Sequence, residues 1–191
     1  LKIIPYSLIQ RVNEKSNKTK NTNFDKGIDV KYSLTPGLTL DLTYNTDFAQ
    51  VEVDDQQINI DRFNLFFPEK RSFFLENAGQ FSVGSPGEVD LFFSRRIGLS
   101  DNGSIIPIIG GSRISGKIGQ TNIGLLNMYT DDIISSNIDK TSFTVARINH
   151  DFSKSRSSFG GIIINKQNIK SSSKYNKVYA LDGKWGLGKK A

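Results

Sequence analysis

The 191-residue chain has no cysteine and only one histidine, one tryptophan and one methionine. Without cysteine there are no disulfides, no thiolate metal sites and no cysteine nucleophile. No apolar run approaches the roughly 20 residues of a membrane-spanning helix, which excludes a helical membrane protein. His150 has no second histidine with which to chelate a metal, and no G-x-S-x-G elbow accompanies it for a Ser-His-Asp triad. Beside Asp151 near a strand end, it reads as an exposed loop histidine. The glycine-containing stretches 84–87 and 110–112 lack the Lys-Ser/Thr ending of a phosphate loop and read as a turn and a strand bend. No cofactor is expected.

Charge of one sign is in modest excess, a formal net +6. Lys15, Lys18, Lys20 and Lys26 lie among Asn, Ser and Thr, as do Lys166, Lys170, Lys174 and Lys177. No aromatic stacking residues are interleaved with them, so these stretches read as solvated loops and not as a nucleic-acid surface.

What the chain does have is alternation. Ile28, Val30, Tyr32 and Leu34 alternate with polar residues, and after Thr35-Pro36-Gly37 so do Leu38, Leu40, Leu42 and Tyr44. Successive strand side chains point to opposite faces, so this is a hairpin with one apolar and one polar face. Pro36 presets its φ and Gly37 accepts positive φ, which suits a tight reversal. Similar runs recur at 105–118, 123–130, 141–152, 158–168 and 175–188, and 1–10 opens inside another. In the first of these, Ile108 shares a face with Ile114, while Arg113 takes the other. About nine strands are expected, and the chain reads as a piece of a longer one, cut at both ends.

Long polar connections (11–26, 131–140, 168–176) exchange with tight ones (TPG, GQTN, SKSR). A soluble β-sandwich and a transmembrane β-barrel both alternate in this way. Gly and Ser interrupt the apolar faces and would fill a sandwich core poorly. The long-short exchange and tyrosines or tryptophan near strand ends (Tyr44, Tyr129, Tyr175, Trp185) also match an outer-membrane barrel. The expected fold is all-β, an antiparallel up-and-down transmembrane barrel fragment. Its lipid-facing set is Ile28, Val30, Tyr32, Leu34, Leu38, Leu40, Leu42, Tyr44, Tyr179, Leu181, Trp185 and Leu187.

Residues 46–104 break the rhythm and divide the chain into 1–45, 46–104 and 105–191. Phe63, Phe66 and Phe67 fall at helical spacing before Pro68, and Phe73-Phe74-Leu75 follow the charged corner 68–71. A fold-in packed by its phenylalanines, plugging the lumen or capping a rim, is the simplest account. The order N-x-D-F-x-Q-V-E-x-D, F-F-P-E-K-R-x-F-F-L-E and S-R-R-I-G resembles a large family of uncharacterised outer-membrane-type proteins of Bacteroidota and relatives. In that family the region follows a carbohydrate-binding module similar to family 9, and the C-terminal part is taken to be a β-barrel. The resemblance implies a Gram-negative outer-membrane address with lipid as a partner. It also implies a carbohydrate ligand reached only through a module absent here. It implies no chemistry, because the family has no established activity.

The candidate sites follow from charge. Asp47, Glu52, Asp54 and Asp55 are oxygen ligands that calcium could take, although their spacing is not that of an EF-hand. As a glycosidase pair they have no defined separation, and a polar strand end paired with Arg62, Lys70, Arg71, Arg95 and Arg96 is the expected account of them. Arg62, Glu69, Lys70, Arg71, Glu76, Arg95 and Arg96 form the densest mixed-charge group. Ion pairs locking the fold-in to the wall are expected of them; a path for anions or sugars past Arg95 and Arg96 is the functional alternative. The functional expectation is transport or surface anchoring linked to carbohydrate binding, without catalysis. A soluble exported glycan-binding module is the alternative.

Overall fold

The computed structural model describes residues 1–14, 19–45, 69–83, 91–100 and 105–186, with side chains 10–23 left aside. Within these residues eight antiparallel strands follow one another as neighbours in a single sheet. They are β1 (Lys2–Glu14), β2 (Thr19–Thr35), β3 (Leu38–Tyr44), β4 (Ile108–Ile118), β5 (Thr121–Thr130), β6 (Thr141–Phe152), β7 (Ser157–Asn168) and β8 (Tyr175–Lys184). The sheet is an open meander; β8 does not pair with β1.

Register explains most of the alternation. The first hairpin pairs Ile28 with Tyr44 through Ser33 with Thr39, as its pattern requires. Four details differ from expectation. Gly37 is not among the residues of positive φ; it is there because a Cβ would collide with the Lys117 carbonyl of β4. Ile108 lies on the face of Arg113 and not of Ile114, because the register slips between Ile108 and Gly110. Such a bulge adds one residue and flips everything before it to the other face. The expected polar loop 11–26 is largely strand: β1 runs to Glu14 and β2 begins at Thr19, paired without a break. Backbone pairing satisfies its donors and acceptors whatever the polarity of its side chains.

His150 is likewise in a strand and not in a loop. Its Nδ1 lies 2.9 Å from the Thr121 hydroxyl, and its ring meets Phe152 edge-on with centroids 4.7 Å apart.

Tight turns at 36–37, 119–120 and 153–156 gather at one end of the sheet. The longer connections, including the excursion between β3 and β4, leave from the other. The described parts of that excursion are a single helical turn, α1 (Ser72–Leu75), and two 3₁₀ turns, Ala78–Phe81 and Ser94–Arg96. They lie on one face of the sheet. Phe73, Phe74, Phe81, Val83 and Ile97 pack with Ile108, Leu126, Met128, Val145 and Ile162 into the one described core. The insert's phenylalanines therefore pack against the wall as well as against each other. The helix of Phe63, Phe66 and Phe67 lies outside the described residues.

Candidate functional site

The face the insert covers is the charged one. Alternation aims Asp29, Lys31, Asp41, Arg113, Arg147 and Asp182 at it, with Leu126, Met128, Val145 and Ile162 among them. Three arginines organise this space. Arg113 is 2% exposed. Its Nε and Nη2 donate to one Asp41 oxygen at 3.1 and 2.7 Å, while Nη1 donates to the carbonyls of Phe73 and Glu76. The guanidinium carbon also stands 4.9 Å from the Phe73 ring centre. Lys31 joins the same knot through Glu76 and stands 3.8 Å from Asp41. Nearby, the Asn77 amide donates to Ser115 at 3.1 Å.

Arg147 makes the second attachment. Its two terminal nitrogens grip Asp182 at 2.6 and 2.8 Å, and Nε donates to the Ser82 carbonyl at 3.1 Å. To reach Asp182 it crosses β7 over Gly160, where a Cβ would stand 2.5 Å from its Nη1. Gly124 plays the corresponding part on β5: a Cβ there would meet the Phe81 ring at 3.0 Å and the Gln80 carbonyl at 3.1 Å.

The third arginine ties the insert to itself. Arg71 pairs with both Glu69 oxygens at 2.7 Å and donates to the carbonyls of Ile97 at 2.7 Å and Ser94 at 2.8 Å. The Ser94 hydroxyl completes Glu69 at 2.7 Å, and Phe74 lies 4.1 Å beneath the guanidinium. A planar fork of donors matches one carboxylate and two carbonyls at once, which a lysine cannot do. Burial opposes ionisation of Glu69, but the hydrogen bonds and charge of Arg71 outweigh it and hold the pKa below the usual carboxylate range. Glu76 is lowered as well, first by its hydrogen bond from Lys31, with burial opposing.

Of the expected ion-pair group, Glu69, Arg71 and Glu76 are thus in pairs. Arg95 is buried, which pushes its guanidinium pKa down, while Lys70 and Arg96 are exposed. Arg62 and the acidic set Asp47, Glu52, Asp54 and Asp55 lie outside the described residues. No group of three or more His, Cys, Asp or Glu among the described residues is arranged to hold a metal. The wall residues Asp41, Arg113, Arg147 and Asp182 were legible as a polar face but not as attachments. Opposite charges at matching inward positions of neighbouring strands, such as Asp41 opposite Arg113, were the available signal.

Below the turn Ala78–Phe81, toward the tight-turn end, a cleft of about 660 Å³ separates insert from wall. Gln80, Asn122, Asn149, Ser158, Asp182 and Lys184 line it, together with Arg147. At the opposite end of the sheet, Lys140 pairs with Asp131 at 3.0 Å and Lys170 with Asp132 at 2.8 Å. The second pair joins the β5–β6 connection to the β7–β8 one.

Among the described residues, no part of the insert lies on the other face. Tyr44 is 62% exposed, Tyr179 68%, Leu181 77% and Trp185 82%. Ile28, Tyr32, Leu34 and Leu42 are also exposed, and Val30, Leu38 and Leu40 are half-buried beside them. Leu187 lies outside the described residues. One hydrogen-bonded row on this face, Tyr32, Leu40, Ile114, Leu125, Ala146, Ile163 and Tyr179, is apolar across seven strands. The next row toward the long connections begins with Val30 and Leu42. It then turns polar at Ser112, Asn127, Thr144, Asn165 and Lys177. Toward the tight turns, β6, β7 and β8 extend their apolar stretch with Phe152, Phe159 and Trp185. The apolar belt thus runs obliquely to the strands. From β3 to β8 it steps about four residues, roughly 14 Å along the strands over about 24 Å of sheet width.

No curated protein and no solved structure matches the chain. A family model, domain of unknown function DUF5916, matches residues 1–136, from β1 through the insert to the connection after β5. The chain therefore belongs to the DUF5916 family.

Proposed function

We propose that the chain forms part of an outer-membrane β-barrel of a Gram-negative bacterium. The insert fills or narrows the lumen, and the role is transport or surface anchoring, without catalysis. The observation that supports this most is the oblique apolar belt on the uncovered face. Barrel strands tilt about 35–45° to the membrane normal, so a lipid belt must cross hydrogen-bonded rows at a slant. The belt's slope, roughly 25–30°, approaches that tilt. A sheet buried beneath a second protein layer has no reason to keep one.

The inverted burial agrees with this reading. The described part of the insert covers the charged face and, among the described residues, the greasy one is bare, as suits a protein wetted by lipid outside and water within. Closure of the sheet by further strands would satisfy the edges of β1 and β8 in hydrocarbon. The family context extends the proposal to a Bacteroidota-type protein carrying a carbohydrate-binding module ahead of this region. The open edges favour a second reading, a soluble exported β-rich module that binds glycans, whose bare face packs on another domain.

Trp185, the sole tryptophan, separates the two. The chain is refolded with vesicles whose acyl chains are brominated. Quenching of its emission by the bromines is expected. Emission that ignores the bromines but is quenched by aqueous iodide overturns the barrel reading.

A further inference from the structure

We propose that the cleft between the turn Ala78–Phe81 and the wall of β5–β8 is a subsite for a neutral, polyhydroxylated solute of saccharide size. This deepens the transport reading and rests on it only for passage, not for binding. The cleft's volume, about 660 Å³, is that of a small-molecule site. Its lining contains glycine and polar side chains, with no aliphatic or aromatic one among the described residues, so an apolar ligand finds no surface there.

The charges of Arg147 and Asp182 are already spent on each other, and the third charged lining residue, Lys184, is exposed. Arg147 gives its terminal nitrogens to Asp182 and its Nε to the Ser82 carbonyl. At Arg147 an anion would have to displace a bidentate carboxylate, and at Asp182 a cation would have to displace a bidentate guanidinium. Besides the Lys184 ammonium, which only donates, the lining offers the amides of Gln80, Asn122 and Asn149 and the hydroxyls of Ser82 and Ser158, groups of a kind that donates and accepts, although Asn122 and Asn149 also donate to Asp151. That is the complement of a hydroxyl-rich neutral molecule. Gly160 keeps this wall low: a Cβ would stand 2.8 Å from the Asn149 amide oxygen as well as against Arg147. The absence of a stacking ring among the described lining residues makes binding weak and release fast. A permeation subsite needs both.

The test is saturation-transfer NMR on the full chain with maltose as probe. Transfer to the sugar protons is expected, with a dissociation constant in the millimolar range. Gln80→Ala removes one amide from the insert side and leaves every ion pair described above intact. It should weaken binding about fivefold. Ser158→Phe fills the cleft and should abolish transfer. No transfer up to about 50 mM maltose, or equal transfer in both variants and the parent, overturns the subsite. Membrane association does not enter this readout. Failure of maltose to bind leaves the barrel reading standing, and failure of lipid quenching leaves a positive binding result standing.

Discussion

Leu42→Arg offers the sharpest test of what wets the bare face. Leu42 is 41% exposed near the middle of the apolar stretch of β3. On an exposed face in water, such a change stays within about 0.5 kcal/mol. At the midplane of a bilayer, an arginine on the lipid side of a barrel costs about 2–4 kcal/mol. Thr144 provides the control, because it shares the hydrogen-bonded row of Leu42 three strands further on, through Ser112 and Asn127. The slope of the belt carries Thr144 out of the apolar region. Thr144→Arg should therefore cost only about 1 kcal/mol, mostly from losing the 2.9 Å bond from Asn127. Both are measured by reversible guanidinium unfolding in vesicles, followed by Trp185 emission. Equal costs in the two variants, or a Leu42→Arg cost below about 0.5 kcal/mol, would refute the oblique lipid belt.

Glu69→Gln should loosen the insert by about 3 kcal/mol, because it strands the buried Arg71 charge. Glu69→Gln with Arg71→Met should recover part of that loss, and hydrogen-exchange protection of residues 71–75 and 94–97 reads both; simple additivity would count against a coupled pair. Acid should act in the same direction. The folded pKa values of Glu69 and Glu76 lie below the ordinary 4.5, so their stabilisation is complete above that pH and lost as pH falls through the lowered values. Limited proteolysis of the insert should therefore accelerate below about pH 4.5, and an insert equally resistant there would remove these carboxylates from its docking. Gly124→Val should displace Phe81 from its seat and expose residues 78–83 to protease while the strands stay protected. Unchanged cleavage would show that the insert does not rest on β5 at that point.

Chain order and alternation alone determined the antiparallel meander, the hairpin at Pro36-Gly37 and the uniform orientation of Tyr179, Leu181 and Trp185. A period of two leaves each strand only two choices of face, and short turns leave only neighbouring partners, except at β3 and β4, which pair across the whole insert. The same reasoning failed where backbone geometry overrides side-chain polarity. A bulge turned Ile108 inward, and ladder pairing drew the Asn- and Lys-rich stretch into β1 and β2. Tertiary structure alone decided which face the insert covers and how it is held. Arg113 reaches Asp41 and two insert carbonyls, and Arg147 crosses Gly160 to Asp182, only because register brings distant residues within a guanidinium's span. Separation along the chain carries no record of those distances.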